Sequence, residues 1–405
     1  MERVARAGLI IVRNAHDPLM AVVAPVFPPQ VSGSAILLAN LLSNYSGKMS
    51  AIIGYDNRPK SDPTFLPPCP VKYLNLPYRL PAVYDRLRRR LPITVCHMLA
   101  GSMQRALKKL NADVVFASFP YDVYTAAAFV AARRLGLPFY VHMHDLWIEN
   151  TPPNSATAQF AEKWEPITLK ESTRVFCMTE AMQEYYEKKY GVRTDLLPHS
   201  VSDQDYLKAP ADVLPARLAK PTALFVGAVS PQMNLDALKV LAEASELLPQ
   251  EYELLYCTPV KLADLHRLGI RSSRLRVQYV SRAEVQRLQS EAHVLVAPLS
   301  HKNCAIHEVR TVFSTKLLEY LISGRPVIVF APEASYHAES ARKNGWGYVV
   351  SQDSPAELAA AIVKVSTDQQ LARCLVQGAL KEARERSAKR YAQQLREWVL
   401  ADAQR

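Results

Sequence analysis

The sequence predicts an α/β protein of two domains, each a parallel sheet wrapped by helices, and three observations support this. Its 405 residues exceed the roughly 100 to 200 of a single domain. Short β-rich runs alternate with helical patterns along almost the whole chain, the signature of parallel sheets with helical crossovers. The alternation fails once, between Pro198 and Pro221, where Pro210, Pro215 and Pro221 cluster, and then restarts. The halves share topology but no sequence period, so they read as two Rossmann-like domains rather than tandem repeats. The expected organisation is a first domain over residues 1–198, a linker over 199–221, a second domain over 222–385, and a C-terminal helix over 386–405 packing across the junction.

In the first half the expected strands are Met20 to Ala24, Met49 to Gly54, Val71 to Asn75, Val114 to Ser118, Phe139 to Met143 and Val175 to Met178. Helices are expected over Ser34 to Tyr45, Asp122 to Leu135 and Glu180 to Tyr190, ending near Gly47, Gly136 and Gly191. In the second half the strands are Ala223 to Gly227, Leu254 to Cys257, Leu275 to Val280, Val294 to Ala297, Val327 to Phe330 and Tyr348 to Val350. Asn234 marks one helix start, and Ser354-Pro355-Ala356-Glu357 reads as a capping box with proline at the first helical position. A last helical pattern, Ala392 to Leu400 with Trp398, follows the final strand.

The composition, 49% hydrophobic and 21% charged, excludes a disordered chain, and no apolar run reaches the ~18 residues of a membrane span. The apolar patch Gly8 to Val12 is followed by Arg13 and Asp17 without a small-residue cleavage site, so a cytoplasmic protein is expected. Six scattered cysteines show no CxxC pair and are expected reduced. The net charge of +11 is concentrated: Arg79 to Lys109 holds eight basic residues against the single acid Asp85.

Ligands of open parallel sheets bind beyond the C-terminal strand ends, so the loops after strands carry the chemistry. The first is Phe27-Pro28-Pro29-Gln30-Val31-Ser32-Gly33-Ser34, where Ser32, Gly33 and Ser34 would let a ligand approach a helix start. A plain strand-to-helix turn is the simpler alternative, and the lack of GxGxxG argues against a dinucleotide-binding dehydrogenase. The second is His142-Met143-His144-Asp145. Two apart on a strand, the histidines share a face, with Asp145 at the exit. They read as a catalytic or substrate contact at His144, as core histidines, or as half of a metal site that lacks further ligands. The third is Phe225-Val226-Gly227.

The fourth is Phe313-Ser314-Thr315-Lys316-Leu317-Leu318-Glu319-Tyr320-Leu321, followed by Gly324-Arg325-Pro326-Val327. Here Ser314 or Thr315 is expected to cap a helix whose first turn carries Lys316, a combination suited to pyrophosphate. Glu319, one turn on, can accept two hydroxyl hydrogen bonds, as a ribose requires. An amphipathic core helix with solvated charges is the alternative.

At these residues the sequence resembles the GT-B glycosyltransferases, specifically the large retaining family 4-like group that uses nucleotide-sugar donors. The similarity runs through Phe27-Pro28-Pro29, His144-Asp145-Leu146-Trp147, Thr179-Glu180-Ala181-Met182, Leu197-Pro198, Phe225-Val226-Gly227 and Phe313 to Val329. It implies transfer of a sugar to an acceptor hydroxyl with retained configuration, in glycan, polysaccharide or glycolipid biosynthesis. Glu319 looks like the ribose-binding glutamate and His144 like the histidine near the reacting sugar. Gly227, Phe313, Ser314, Thr315, Lys316 and Glu319 would bind the donor, and Ser32, Gly33, Ser34 and Asp145 the acceptor. No metal and no cofactor beyond the donor substrate are expected, and no nucleic-acid partner.

Two departures stand out. The family's Glu-x(7)-Glu would begin at Thr311, with Glu308 near but off register, and the basic residues usual after the glycine of Phe-x-x-Gly are missing after Gly227. Lys316, or Lys302 or Arg310, would supply the phosphate charge instead. Asp203-Gln204-Asp205 spells a DxD but reads as solvated linker. An epimerase-type enzyme and a silent sugar-binding protein of the same fold remain as rival readings. The basic stretch from Arg79 to Lys109 suggests peripheral contact with an anionic membrane, where a lipid-linked acceptor would lie, against the plainer reading of a solvated helix face.

Overall fold

The computed structural model describes residues 17–30, 32–53, 65–74, 81–118, 123–213 and 216–403. The apolar patch Gly8 to Val12, together with Val31, Gly54, Asn75, Arg79, Asp122 and Pro215, lies outside them.

The first sheet contains β1 (Leu19–Val23), β2 (Lys48–Ile53), β3 (Val71–Tyr73), β4 (Val114–Ser118), β5 (Phe139–Met143), β6 (Arg174–Cys177) and the short β7 (Asp195–Leu196), in the order β3-β2-β1-β4-β5-β6-β7. The second contains β8 (Thr222–Val226), β9 (Glu253–Cys257), β10 (Leu275–Gln278), β11 (Val294–Pro298), β12 (Val327–Phe330) and β13 (Tyr348–Val350), in the order β10-β9-β8-β11-β12-β13. Every pairing between these strands is parallel. Such sheets are covered on both faces, which is why β4, β5, β8 and β11 are buried at every residue and read as continuous apolar runs. Strand order reverses between β1 and β4 and between β8 and β11, and those two crevices face each other.

Around the first sheet lie α1 (Gly33–Leu42), α2 (Pro81–Arg90), α3 (Pro92–Leu110), α4 (Val123–Leu135), α5 (Ala156–Glu171) and α6 (Glu180–Tyr190). The linker forms α7 (Asp203–Leu207). The second sheet is wrapped by α8 (Leu235–Glu246), α9 (Leu262–Arg267), α10 (Arg282–Glu291), α11 (Ile306–Thr311), α12 (Lys316–Leu321), α13 (Tyr336–Asn344), α14 (Pro355–Thr367) and α15 (Gln369–Glu385). Gly136 and Gly191 follow α4 and α6 with φ of 66° and 67°, the left-handed turn expected there. Gly47 is not the end of α1, which stops at Ser43, whose N–H bonds Ala39 and Leu41 carbonyls.

Two cap expectations are corrected. Asn234 stands at the start of α8 but does not cap it; its amide spans the preceding turn, accepting from the Ser230 N–H (2.9 Å) and donating to the Ala228 carbonyl (3.1 Å). Ser354 accepts from the Glu357 N–H at 3.4 Å, one half of a box, whereas the reciprocal box is formed by Ser281 and Glu284.

The last helix, α16 (Ala388–Asp402), extends beyond the expected Ala392 to Leu400 and packs on the first domain. Tyr391, Ala392, Leu395 and Val399 share a core with Met20, Val22 and Leu41. Trp398 lies 4.9 Å from Phe176, and buried Asp402 accepts from Tyr140 (2.7 Å) and pairs with Arg174 (2.6 Å). The two chain crossings are bonded together where Val201 and Arg386 to Ala388 exchange backbone hydrogen bonds. Asp203 belongs to this joint: it accepts from Ser387 Oγ (3.0 Å) and the Lys389 N–H (2.8 Å). Its carboxylate therefore starts the crossover helix and is not the solvated linker residue the sequence suggested.

Candidate functional site

The crevice has two lips. On the first domain, β5 carries His142 and His144 to its C-terminal end on one face. His142 Nε2 donates to the Leu197 carbonyl at 2.8 Å. His144 Nε2 sits 2.7 Å from Ser118 Oγ, at the end of β4, and 3.2 Å from His142 Nδ1. His199 follows, its ring 6.0 Å from that of His144. Burial pushes His142 down to about 4, and burial with neighbouring histidines holds His144 well below the usual imidazole range. Asp145 is pushed up to about 6, first by burial and then by Glu308 across the crevice. Ser32 caps α1, its Oγ accepting from the Ala35 N–H at 3.2 Å, and partly buried Ser34 follows in the first turn. A Cβ on Gly33 would stand 3.5 Å from Thr315, so this glycine faces the second domain directly.

On the second domain, β8 is followed by Gly227, whose φ of 141° is open to glycine and strained for other residues. Lys316 Nζ lies 3.2 Å from where a Gly227 Cβ would stand and 4.7 Å above the Phe225 ring. Burial of this ammonium pushes it down to about 8. Partly buried Glu319 accepts from Gln289 Nε2 at 3.2 Å and lines a cavity of about 140 Å³. Ile36 and Asn40 of α1, Ser202 of the linker, and Thr315 and Lys316 close that cavity, so both domains build it. Among the described residues no cluster of three or more His, Cys, Asp or Glu side chains is arranged to hold a metal ion.

Residues 46–198 match the family model described as "Glycosyl transferase 4-like domain", and residues 220–368 match "Glycosyl transferases group 1". The chain belongs to the glycosyltransferase family 4-like enzymes. Its two facing sheets are the GT-B fold. Similar solved structures include Anabaena HepE in complex with UDP (TM-score 0.66, 15% identity, 95% of this chain and 100% of that one). A sucrose-phosphate synthase from Thermosynechococcus elongatus has a TM-score of 0.66 at 16% identity, covering 94% of this chain and 98% of that one. An α,α-trehalose-phosphate synthase (UDP-forming) from Burkholderia vietnamiensis has a TM-score of 0.66 at 12% identity, covering 95% and 100%. At such identities the likeness carries the fold. No curated protein matches the sequence significantly.

Within this glycosyltransferase the structure brings Gly33, Thr315, Lys316, Gly227 and Glu319 to one crevice, with Ser118, His144 and Asp145 on its first-domain side. Two expectations are corrected. Phe313 is a core residue, 2% exposed, with its ring enclosed by Tyr336, His337 and Trp346 and the Arg386 guanidinium 4.0 Å above it. Neither Ser314 nor Thr315 caps α12 with its side chain. Thr315 already has helical backbone angles, the Ser314 N–H is taken by His337 Nε2 (3.1 Å), and the Leu317 and Leu318 amides close tight bonds to the Ser314 and Thr315 carbonyls. Lys316 brings an ammonium to the crevice, and Lys208 lines the adjoining cavity that Glu319 shares. Of the alternates, Lys302 pairs with Asp353 at 2.6 Å, and Arg310 lines a separate cavity with Tyr185 and Lys188. Ser118, His199, Gln289 and His337 were not identified from the sequence. Ser118 ends a strand and was open to the strand-end argument; Gln289, inside a helix, carries no such signal.

Proposed function

We propose that this glycosyltransferase moves a sugar from a nucleotide-diphosphate donor to an acceptor hydroxyl with retention of configuration. The observation that carries this reading is that Lys316 and Glu319 line one cavity bordered by α1, with the Lys316 ammonium standing against the bare Gly227 backbone. The bare Gly227 backbone and the Lys316 ammonium offer a diphosphate close approach and positive charge, and that charge stabilises the departing nucleotide. Glu319, held by Gln289, accepts from the ribose hydroxyls. His144 and Asp145 meet the transferred sugar and the acceptor, with Ser32, Gly33 and Ser34 at the acceptor side. Fixed lysine charge in place of a carboxylate-held cation supports metal-independent transfer. Glu319 faces a cavity rather than the core, which favours transfer over the silent sugar-binding reading.

A lipid-linked acceptor at an anionic membrane is the companion reading. On α2 and α3, Arg86, Arg88, Arg89 and Arg90 stand beside Leu91 (53% exposed), Ile93 (48%) and Met98 (39%). Basic and apolar side chains side by side suit a headgroup layer. Among the described residues no helix is long and apolar enough to cross a membrane.

Titration with a panel of nucleotide sugars, begun with UDP and UDP-glucose, tests the donor reading, and NMR of the product's anomeric proton tests retention. Absence of binding to every nucleotide sugar rejects the donor reading. Sedimentation with phosphatidylserine vesicles at low salt tests the membrane contact, which Arg88→Glu, Arg89→Glu and Arg90→Glu together should abolish.

A further inference from the structure

A second and larger cavity, of about 560 Å³ against about 140 Å³ for the one that Glu319 lines, opens between the domains at α6, α11 and α13. That volume lies within the ~300 to 1,000 Å³ of small-molecule sites. Its aromatic wall is shared: Tyr185 of the first domain meets His307 of the second at 5.3 Å between ring centroids, the planes tilted by 56°. Tyr185 is held in place, since its hydroxyl donates to the Glu149 carboxylate and the Lys189 ammonium stands 5.3 Å over its ring. Lys189 is itself committed to Glu149 (2.7 Å) and Glu165 (2.9 Å). The remaining charged groups of the lining are two cations, Lys188 and Arg310, and two carboxylates, Glu184 and Glu339, all exposed. Among the described residues none of these four side chains makes an ion pair or hydrogen bond.

Unpaired donors and unpaired acceptors around aromatic rings fit a ligand that both donates and accepts. Hydroxyl groups do both, whereas ammonium and guanidinium only donate and carboxylates only accept. A pyranose adds an apolar C–H face, which packs on an aromatic ring. A multiply charged anion fits worse, because the two carboxylates offset the two cations. The cavity also adjoins the place where an acceptor is expected: Thr311 lines it, and on the same helix Glu308 faces Asp145 across the crevice. We propose that this cavity is a saccharide subsite for sugar units of the acceptor remote from the reacting hydroxyl, packed on Tyr185 and His307 and hydrogen-bonded by Lys188, Arg310, Glu184 and Glu339. The acceptor is then an oligosaccharide rather than a single sugar. Its assignment to the acceptor rests on the proposed transfer reaction, but saccharide binding does not and needs no nucleotide.

Full-length protein without nucleotide, applied to an array of hexose and N-acetylhexosamine oligosaccharides, should be retained by at least one of them. In calorimetric titration with that saccharide, Lys188→Ala combined with Arg310→Ala should weaken binding on the order of 100-fold, the loss of two hydrogen bonds to charged groups. Nucleotide-sugar affinity should be unchanged in the same variant. Glu184→Gln combined with Glu339→Gln, which keeps acceptor oxygens, should cost less than the alanine pair; tighter binding there shows that the carboxylates oppose the ligand and overturns the proposal. With the same saccharide as acceptor, the alanine pair should raise its KM and leave KM for the nucleotide sugar unchanged, a split that a folding defect does not produce. Failure of every saccharide to bind, or equal binding by the wild type and the alanine pair, overturns the proposal and leaves the donor reading intact. A retained saccharide that accepts no sugar overturns the assignment to the acceptor. Saccharide binding that is lost in the alanine pair, in a protein that binds no nucleotide sugar, supports the subsite and rejects the donor reading.

Discussion

The two lips of the crevice are built on the same strand-end principle and differ in charge. On the first domain, Ser118, His142, His144 and His199 form a buried group of neutral side chains, and Asp145 beside them has been pushed up to about 6 by burial and Glu308. On the second domain a lysine ammonium stands over an aromatic ring beside a bare glycine, with Glu319 one helical turn away. On the proposed reading the first lip would hydrogen-bond neutral hydroxyl groups, and the second would supply charge where a diphosphate leaves. The difference teaches that the charge of the second lip is carried by a side chain, Lys316, at the start of a six-residue helix: the Ser314 amide before α12 is taken by His337, and the Leu317 and Leu318 amides bond the Ser314 and Thr315 carbonyls.

The comparison breaks most sharply at Lys316. Lys316→Ala should lower affinity for whichever nucleoside diphosphate the panel titration identifies on the order of 200-fold, since an ammonium serving a diphosphate makes more than one charge-assisted bond, each ~1.5 to 3 kcal/mol. Calorimetric titration measures it, and an affinity within a factor of two of wild type would move the anion site elsewhere. Glu319→Gln should cost about tenfold in the same titration, because an amide keeps one acceptor oxygen for the ribose and loses the charge. Thermal unfolding should be nearly unchanged in that variant, separating ligand loss from fold loss.

Proton linkage sharpens the comparison further. Lys316 is held down to about 8 in the free protein, and a bound diphosphate favours its charged form and raises it. Affinity is therefore fully present below that value and falls as the lysine deprotonates, by about fourfold between about pH 7 and about pH 8.5. Lys316→Arg should flatten that dependence, and a flat wild-type profile would show that the lysine is not titrating at the anion. The smallest expected effect concerns metal: transfer rates with and without a strong chelator should agree. Complete loss restored by Mg²⁺ or Mn²⁺ would reject fixed lysine charge as the sole counter-ion.

Much of the scaffold was legible in the sequence because parallel strands buried on both faces leave unbroken apolar runs. Val114 to Ser118, Phe139 to Met143, Val327 to Phe330 and Tyr348 to Val350 coincide with strands as read, while the two-residue β7 is too short to leave a pattern. Glycine ended α4 and α6 as expected because the left-handed turn is a local requirement. Caps were less legible: Asn234 and Ser354 marked helix starts, yet which donor an Asn or Ser side chain reaches depends on the neighbouring loop.

The sequence by itself determined the alternation that makes two parallel sheets, the family motifs, and the residues standing at strand ends. Those properties are written in local spacing and side-chain type. Only the tertiary structure decided that Phe313 is enclosed in the core while Lys316, three residues on, reaches Gly227, that Asp203 starts the crossover helix, and that His142 and Ser118 both meet one nitrogen of His144. Each of those facts is a contact between segments far apart in the chain, or the direction of a side chain fixed by such contacts, and no local pattern encodes it.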